Sequence, residues 1–129
     1  MAIDPTTDIR VGIVTTLRRN GGPGAPVYDR VPDNEPPPAV IVDTVDLDQS
    51  ATKDGGARVF FFEIVTIVRG RSKVEAEGIM GNVFARLEDM PLSVSGFTVA
   101  RPKLQSSRLE SQGDMLTHVG RQLFRSIIL

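Results

Sequence analysis

The sequence predicts an α+β fold: a largely antiparallel, or mixed, β-sheet with two α-helices packed on one face. Three observations predict it. Apolar residues recur at helical spacing in two stretches, one near the N-terminus and one in the middle of the chain. β-Branched runs bounded by turn residues lie between and after them, the strongest being RVFFFEIVTIVR at residues 58–69. The 129 residues, 40% hydrophobic and 24% charged, suit one core, and residues 1–129 are read as one domain.

In DPTTDIRVGIVTTLRRNGG, Asp4 or Thr6 can cap a helix and Pro5 suits its first turn. Ile9, Ile13, Val14 and Leu17 share one face, Arg18 and Arg19 complement the C-terminal dipole, and Gly21 and Gly22 stop the helix, which is expected over residues 6–19. A short strand follows at residues 27–31. The segment DNEPPP then lacks the N–H donors for a regular ladder, so the chain bends or runs extended before a β-branched strand at residues 39–47. DQSATKDGGA, with its Asp54-Gly55-Gly56 turn signal, reads as the hairpin connection to the next strand.

That strand, residues 58–69, is apolar on both parities: Phe60, Phe62, Ile64 and Val68 on one, Val59, Phe61, Val65 and Ile67 on the other. One face can pack on the two helices. The other is expected to need a partner chain. Ser72 and Glu75 form a capping-box pattern, Ala76, Ile79, Met80, Val83 and Leu87 make the face of a second helix, and Pro91 ends it. Gly78 and Gly81 cost helix propensity, which suggests close packing on the sheet. From Leu92 the composition is strand-like again, with residues 96–99 followed by Arg101-Pro102 and a polar run through Glu110. A turn at residues 111–114 leads to a last strand at residues 115–129, where β-branched positions and Gly120 disfavour a helix.

Composition excludes several functions. A formal charge of -1 argues against a nucleic-acid binder that depends on a basic surplus. Without cysteine there is no disulfide framework, thiol nucleophile or cysteine-ligated metal. No apolar run approaches the roughly 18 to 20 residues that span a bilayer, and MAIDPTTDIR lacks a signal-peptide pattern, so a soluble protein made in the cytoplasm is expected, with no membrane partner.

Candidate chemistry is thin. The one histidine, His118, lies in the expected last strand and reads as structural. No nucleophile elbow, phosphate-binding glycine loop or histidine-carboxylate metal spacing occurs, and no cofactor is implied. Asp43, Asp46 and Asp48 invite a hard-cation reading, but strand parity puts Asp43 opposite the other two, so a solvated strand end or an acidic inner surface is preferred. Arg69, Arg71 and Lys73 need not converge. Arg121 and Arg125 share strand parity and are placed to pair with carboxylates across a subunit boundary.

Five features in order carry a family resemblance: the N-terminal helix ending near glycines, VYDRVPDNEPPPAVIV at residues 27–42, the TKDGGARVFFFEIVTIVRGRSKVEAEGIMGNVFARLED block, LSVSGFTV, and the DMLTHVGRQLFRSII ending. Together they resemble the phage tail terminator, or tail completion, proteins of siphophages, prophages and gene transfer agents. Three consecutive prolines followed by Ala39 depart from the family, which more often has one or two prolines and an aromatic.

The resemblance implies a non-catalytic virion protein, assembled in the host cytoplasm as a ring of six on the last ring of the tail tube. There it stops tube growth and offers the surface to which the head-tail connector or stopper docks, while DNA only passes through the lumen. Tyr28, Asp29 and Arg30 either contact a neighbouring subunit or fix the turn within their own. Asp48, Lys53 and Asp54 in the hairpin segment, with Arg69, Arg121 and Arg125, complete the candidate ring and tube interface. The competing readings are another neck protein, such as the stopper, or the tube subunit; a small-molecule enzyme built on His118 and the aspartates; and a nucleic-acid-binding module.

Overall fold

A computed structural model describes residues 4–30, 36–48 and 58–129. Its elements are α1 (Thr6–Arg18), β1 (Val27–Tyr28), β2 (Ala39–Asp48), β3 (Arg58–Arg69), α2 (Val74–Leu87), β4 (Lys103–Ser111) and β5 (Thr117–Ile128). The 5-stranded sheet has the order β1-β2-β3-β5-β4, which puts the most apolar strand at its centre. β1 runs parallel to β2 and all other pairings are antiparallel, so the sheet is mixed and largely antiparallel. Both helices pack on one face of it, the arrangement the hydrophobic periodicities predict.

The N-terminus of α1 is fixed by Asp4, whose carboxylate accepts from the Thr6 N–H at 2.9 Å and the Thr6 hydroxyl at 2.5 Å. Ile9, Ile13 and Leu17 are fully buried on the sheet side. The helix stops one residue earlier than the periodicity suggests, because residues 19–21 tighten into a 3₁₀ turn with Asn20 left-handed at φ 53°. Arg18 does more than complement the dipole: its Nε and terminal nitrogen donate to the Val27 carbonyl at 3.1 and 2.6 Å, tying β1 to the helix.

β1 is shorter than expected. It pairs only Val27 with Val40 and Tyr28 with Ile41, while Asp29 and Arg30 leave the ladder. Val31, the DNE of the proline-rich crossing and all of residues 49–57 lie outside the described residues. The crossing ends in a cis Pro37–Pro38 bond directly before β2.

α2 begins at Val74, whose N–H donates to the Ser72 hydroxyl at 3.1 Å, and it buries Ala76, Ile79, Met80, Val83 and Leu87 as its periodicity predicts. Gly78 and Gly81 do not pack on the sheet. Both are exposed, and a Cβ at either would have open space around it. The close approach comes from the other side of the contact: a Cβ on Gly120 of β5 would lie 2.3 Å from the Met80 sulfur. On α1, a Cβ on Gly12 would meet the Ser93 carbonyl oxygen at 2.4 Å.

Two C-terminal expectations need correction. The polar run after Arg101-Pro102 is a full strand, β4, on the sheet edge; it carries few apolar residues because only Leu104 and Leu109 reach the core. Residues 96–99 instead form no ladder. They make isolated bridges, Val94 to Phe97 and Val99 to Ile128, and lie over the end of β5 through Ala100 N–H to Ile127 O and Leu129 N–H to Thr98 O, both 2.8 Å. The last strand starts at Thr117 because Met115, at φ 62°, belongs to the preceding turn.

Candidate assembly surface

Helices cover one face of the sheet, and the other is open. On β3 the covered parity is Phe60, Phe62, Ile64, Thr66 and Val68, all buried, whereas on the open side Val59, Phe61, Glu63 and Ile67 are only half-buried and Val65 alone is buried. Cross-strand register extends the open face in rows. One row runs Asp46, Phe61, Arg125, Lys103 from β2 to β4, and another runs Ile41, Val65, Arg121, Arg108. A third sets Ala39 beside Ile67, Val119 and Glu110. The centre is apolar, the β2 side acidic and the β5–β4 side basic.

A β-bulge produces the acidic side. Between the Val42–Ile64 and Val45–Phe62 pairs, β2 holds two residues where β3 has one. Val42 and Val45 therefore both face the core, and Asp43 joins Asp46 and Asp48 on the open face. Strict alternation had set Asp43 apart, so that inference is overturned by the extra residue. Among the described residues no group of three or more acidic or histidine side chains has the arrangement to hold a metal ion.

The candidate residues divide accordingly. Tyr28 shares its face with Ile41, so Tyr28, Asp48, Arg69, Arg121 and Arg125 all lie on the open side. Asp29 and Arg30 are exposed beyond β1, where the Asp29 carbonyl accepts from Arg10 at 3.3 Å. Lys53 and Asp54 lie outside the described residues. Arg121 has a carboxylate within its own chain, Glu63 at 3.0 Å, and Arg69 approaches Asp114 at 4.0 Å. Arg125, flanked in register by Phe61 and Lys103, makes no ion pair among the described residues.

Periodicity did not single out a set of side chains that hold backbone carbonyls. Arg10 donates to Val42 O at 2.6 Å, Asn82 to Pro23 O at 2.8 Å, and Arg86 to Gly22 O at 2.7 Å and to Arg19 O. They fasten the α1–β1 connection and the β2 edge to the helices. No spacing rule reveals such contacts, since each partner is a carbonyl remote in sequence. His118 has the same character. It is buried, its Nε2–H donates to Gly70 O at 2.8 Å, and its Nδ1 meets the Ser111 hydroxyl at 2.9 Å, linking the β3–α2 turn to the β4–β5 hairpin.

A surface depression of about 670 Å³ lies where the C-terminal ends of α1 and α2 approach each other. Arg19, Arg86 and Asn82 line it, and two of the three are engaged with backbone carbonyls. No helix among the described residues is long and apolar enough to cross a membrane.

An α+β subunit with a packed face and an open, charge-zoned face has the build of a structural assembly protein. Comparison with known proteins gives that class its context. The family model described as "Tail completion protein gp17" matches residues 14–129. The chain therefore belongs to the tail completion protein family, and is a structural protein of the phage tail. No curated protein matches it. Among solved structures, a chain of "Virion of native gene transfer agent (GTA) particle" shares its fold, with a TM-score of 0.86 at 17% identity over 98% of each chain.

Proposed function

We propose that this chain forms a ring, of six subunits, that caps the tail tube, stops tube polymerisation and presents the surface to which the head-side connector or stopper joins. The observation that carries the reading is the open sheet face, apolar at its centre and of opposite charge at its two sides, in a member of a tail completion family. A half-exposed apolar face of this kind marks a surface used by other chains. Its acid-to-base polarity favours a head-to-tail contact, which closes into a ring when the rotation allows. The fold shared with a chain of a gene transfer agent particle supports a place in the virion, at the head-tail junction. DNA passes through such a ring without being gripped, in keeping with a chain of formal charge -1.

Electron microscopy of the purified protein mixed with tail tubes tests the reading. Rings seated on tube ends are expected. Open-ended filaments formed by the protein alone would identify a tube subunit instead, and a strict monomer in the presence of tubes would refute every ring reading.

A further inference from the structure

We infer that neighbouring subunits join by continuing the β-sheet: the open edge of β4 in one copy pairs antiparallel with the open end of β2 in the next. The inference rests on the ring reading above and specifies its joint.

The sheet has two incomplete edges. β1 covers β2 only at Val40 and Ile41, so over residues 43–47 β2 has β3 as its single strand neighbour among the described residues. Among the described residues β4 is paired with β5 alone. Its first open donor, the Leu104 N–H, is already taken by the Glu88 carboxylate at 2.6 Å, which leaves residues 106–111. Antiparallel ladders alternate inward and outward donors, so Ser107, two places along β5 from the Leu104 partner, also turns its N–H to the open side. Such rows of unpaired donors and acceptors template another strand.

Direction and charge select the partner. Each step from β2 to β3, β5 and β4 is antiparallel, so β4 runs opposite to β2, and a copy rotated about an axis near the strand direction brings the two edges together antiparallel. On the open face β2 carries Asp43 and Asp46, while β4 carries Lys103, Arg108 and Glu110 with Arg125 beside them, a basic surplus. A β2–β2 contact would oppose carboxylates, and a β4–β4 contact would leave the acidic edge bare. Only β4 against β2 sets opposite charges across the joint. Arg108 is exposed and, among the described residues, reaches only Glu110 on its own strand, at 3.2 Å. A bulge near each edge, at Val42/Val45 and Leu104/Ser106, adds twist that discourages pairing in other registers.

The test is the ring fraction of the full-length protein, alone and with tail tubes, by sedimentation velocity and native mass spectrometry at low salt. Arg108→Asp and Asp46→Arg should each reduce it by about tenfold or more, and the combined swap should restore it. Ser107→Pro should abolish it while the β4–β5 pairing keeps its bonds, and Arg71→Asp, away from both edges, should leave it unchanged. Thermal unfolding confirms that each variant is folded. Rings from both single charge variants at the wild-type level would overturn the joint and leave the ring reading standing. Absence of wild-type rings, with and without tubes, would overturn the ring reading and the joint with it.

Discussion

The two faces of β3 are made of nearly the same residues and have different fates. Phe60, Phe62 and Ile64 are fully buried beneath the helices, and Phe62 stacks on Phe60 and Phe124 with ring centroids 6.0 and 5.2 Å apart. Phe61, between the two phenylalanines, and Ile67 are half-buried on a face no helix covers, although Val65 on that face is buried. Hydrophobicity does not distinguish the two faces. The neighbouring strands do, because β5 offers Phe124, Gln122 and Gly120 on one side and Arg125, Leu123 and Arg121 on the other. A face backed by small and apolar groups admits a helix, and one interleaved with arginines is left for other chains.

The largest effect should come from breaking the covered face. Phe62→Ala removes a fully buried ring and is expected to cost about 3–5 kcal/mol in denaturant unfolding. Phe61→Ala should cost less than about half of that, with its main consequence in assembly rather than in folding. Equal losses from the two substitutions would erase the distinction between the faces.

The glycine contacts sharpen the comparison. Gly12→Ala drives a Cβ into the Ser93 carbonyl, which cannot swing away, and should destabilise by about 1–3 kcal/mol. Gly120→Ala meets only the flexible end of Met80, so a smaller loss is expected, and pairing it with a shorter residue at position 80 should recover part of it. Within the covered face, the Thr66 hydroxyl is buried with no hydrogen-bond partner among the described residues. Thr66→Val should therefore raise stability, by about 1 kcal/mol.

The fold was largely legible because its strongest elements follow periodicity: both helices, the order of the main strands and the sided packing rest on residues such as Ile13, Val83 and Phe62. The misses have physical causes. β4 was hidden because an edge strand exposed to water needs only Leu104 and Leu109 to hold it. The acidic side was misassigned at Asp43 because a bulge adds a residue that alternation does not anticipate. Gly120 and Gly12, not Gly78 and Gly81, receive close neighbours, a matter of which helix face meets the sheet. At the candidate surface, strand parity correctly grouped Arg121 with Arg125 but did not reveal that Glu63 sits across from Arg121 in the same chain.

The smallest expected effect lies at the β4–β5 turn, at the rim between the faces. Asp114 accepts from the Thr117 hydroxyl at 2.7 Å and from the Thr117 and Leu116 N–H groups at 2.8 and 2.9 Å, and the Thr117 hydroxyl bond leads in holding its carboxyl down from 3.8 to about 2. A depressed carboxyl contributes stability that is present above its unfolded value and is lost as pH falls through its folded value. Wild type should thus exceed Asp114→Asn by a constant margin above pH 3.8, a margin that closes as pH falls to about 2. The group is exposed, so the margin is small. A gap unchanged down to pH 2 would show that the turn does not depend on the charge.

The most direct test of the account is the length of tail tubes growing from purified tube protein, followed before and after this chain is added. Growth should stop at the lengths reached on addition, with the chain retained at the ends and absent from the tube walls. Tubes that continue to lengthen at an unchanged rate, with the folded chain in excess, would contradict it.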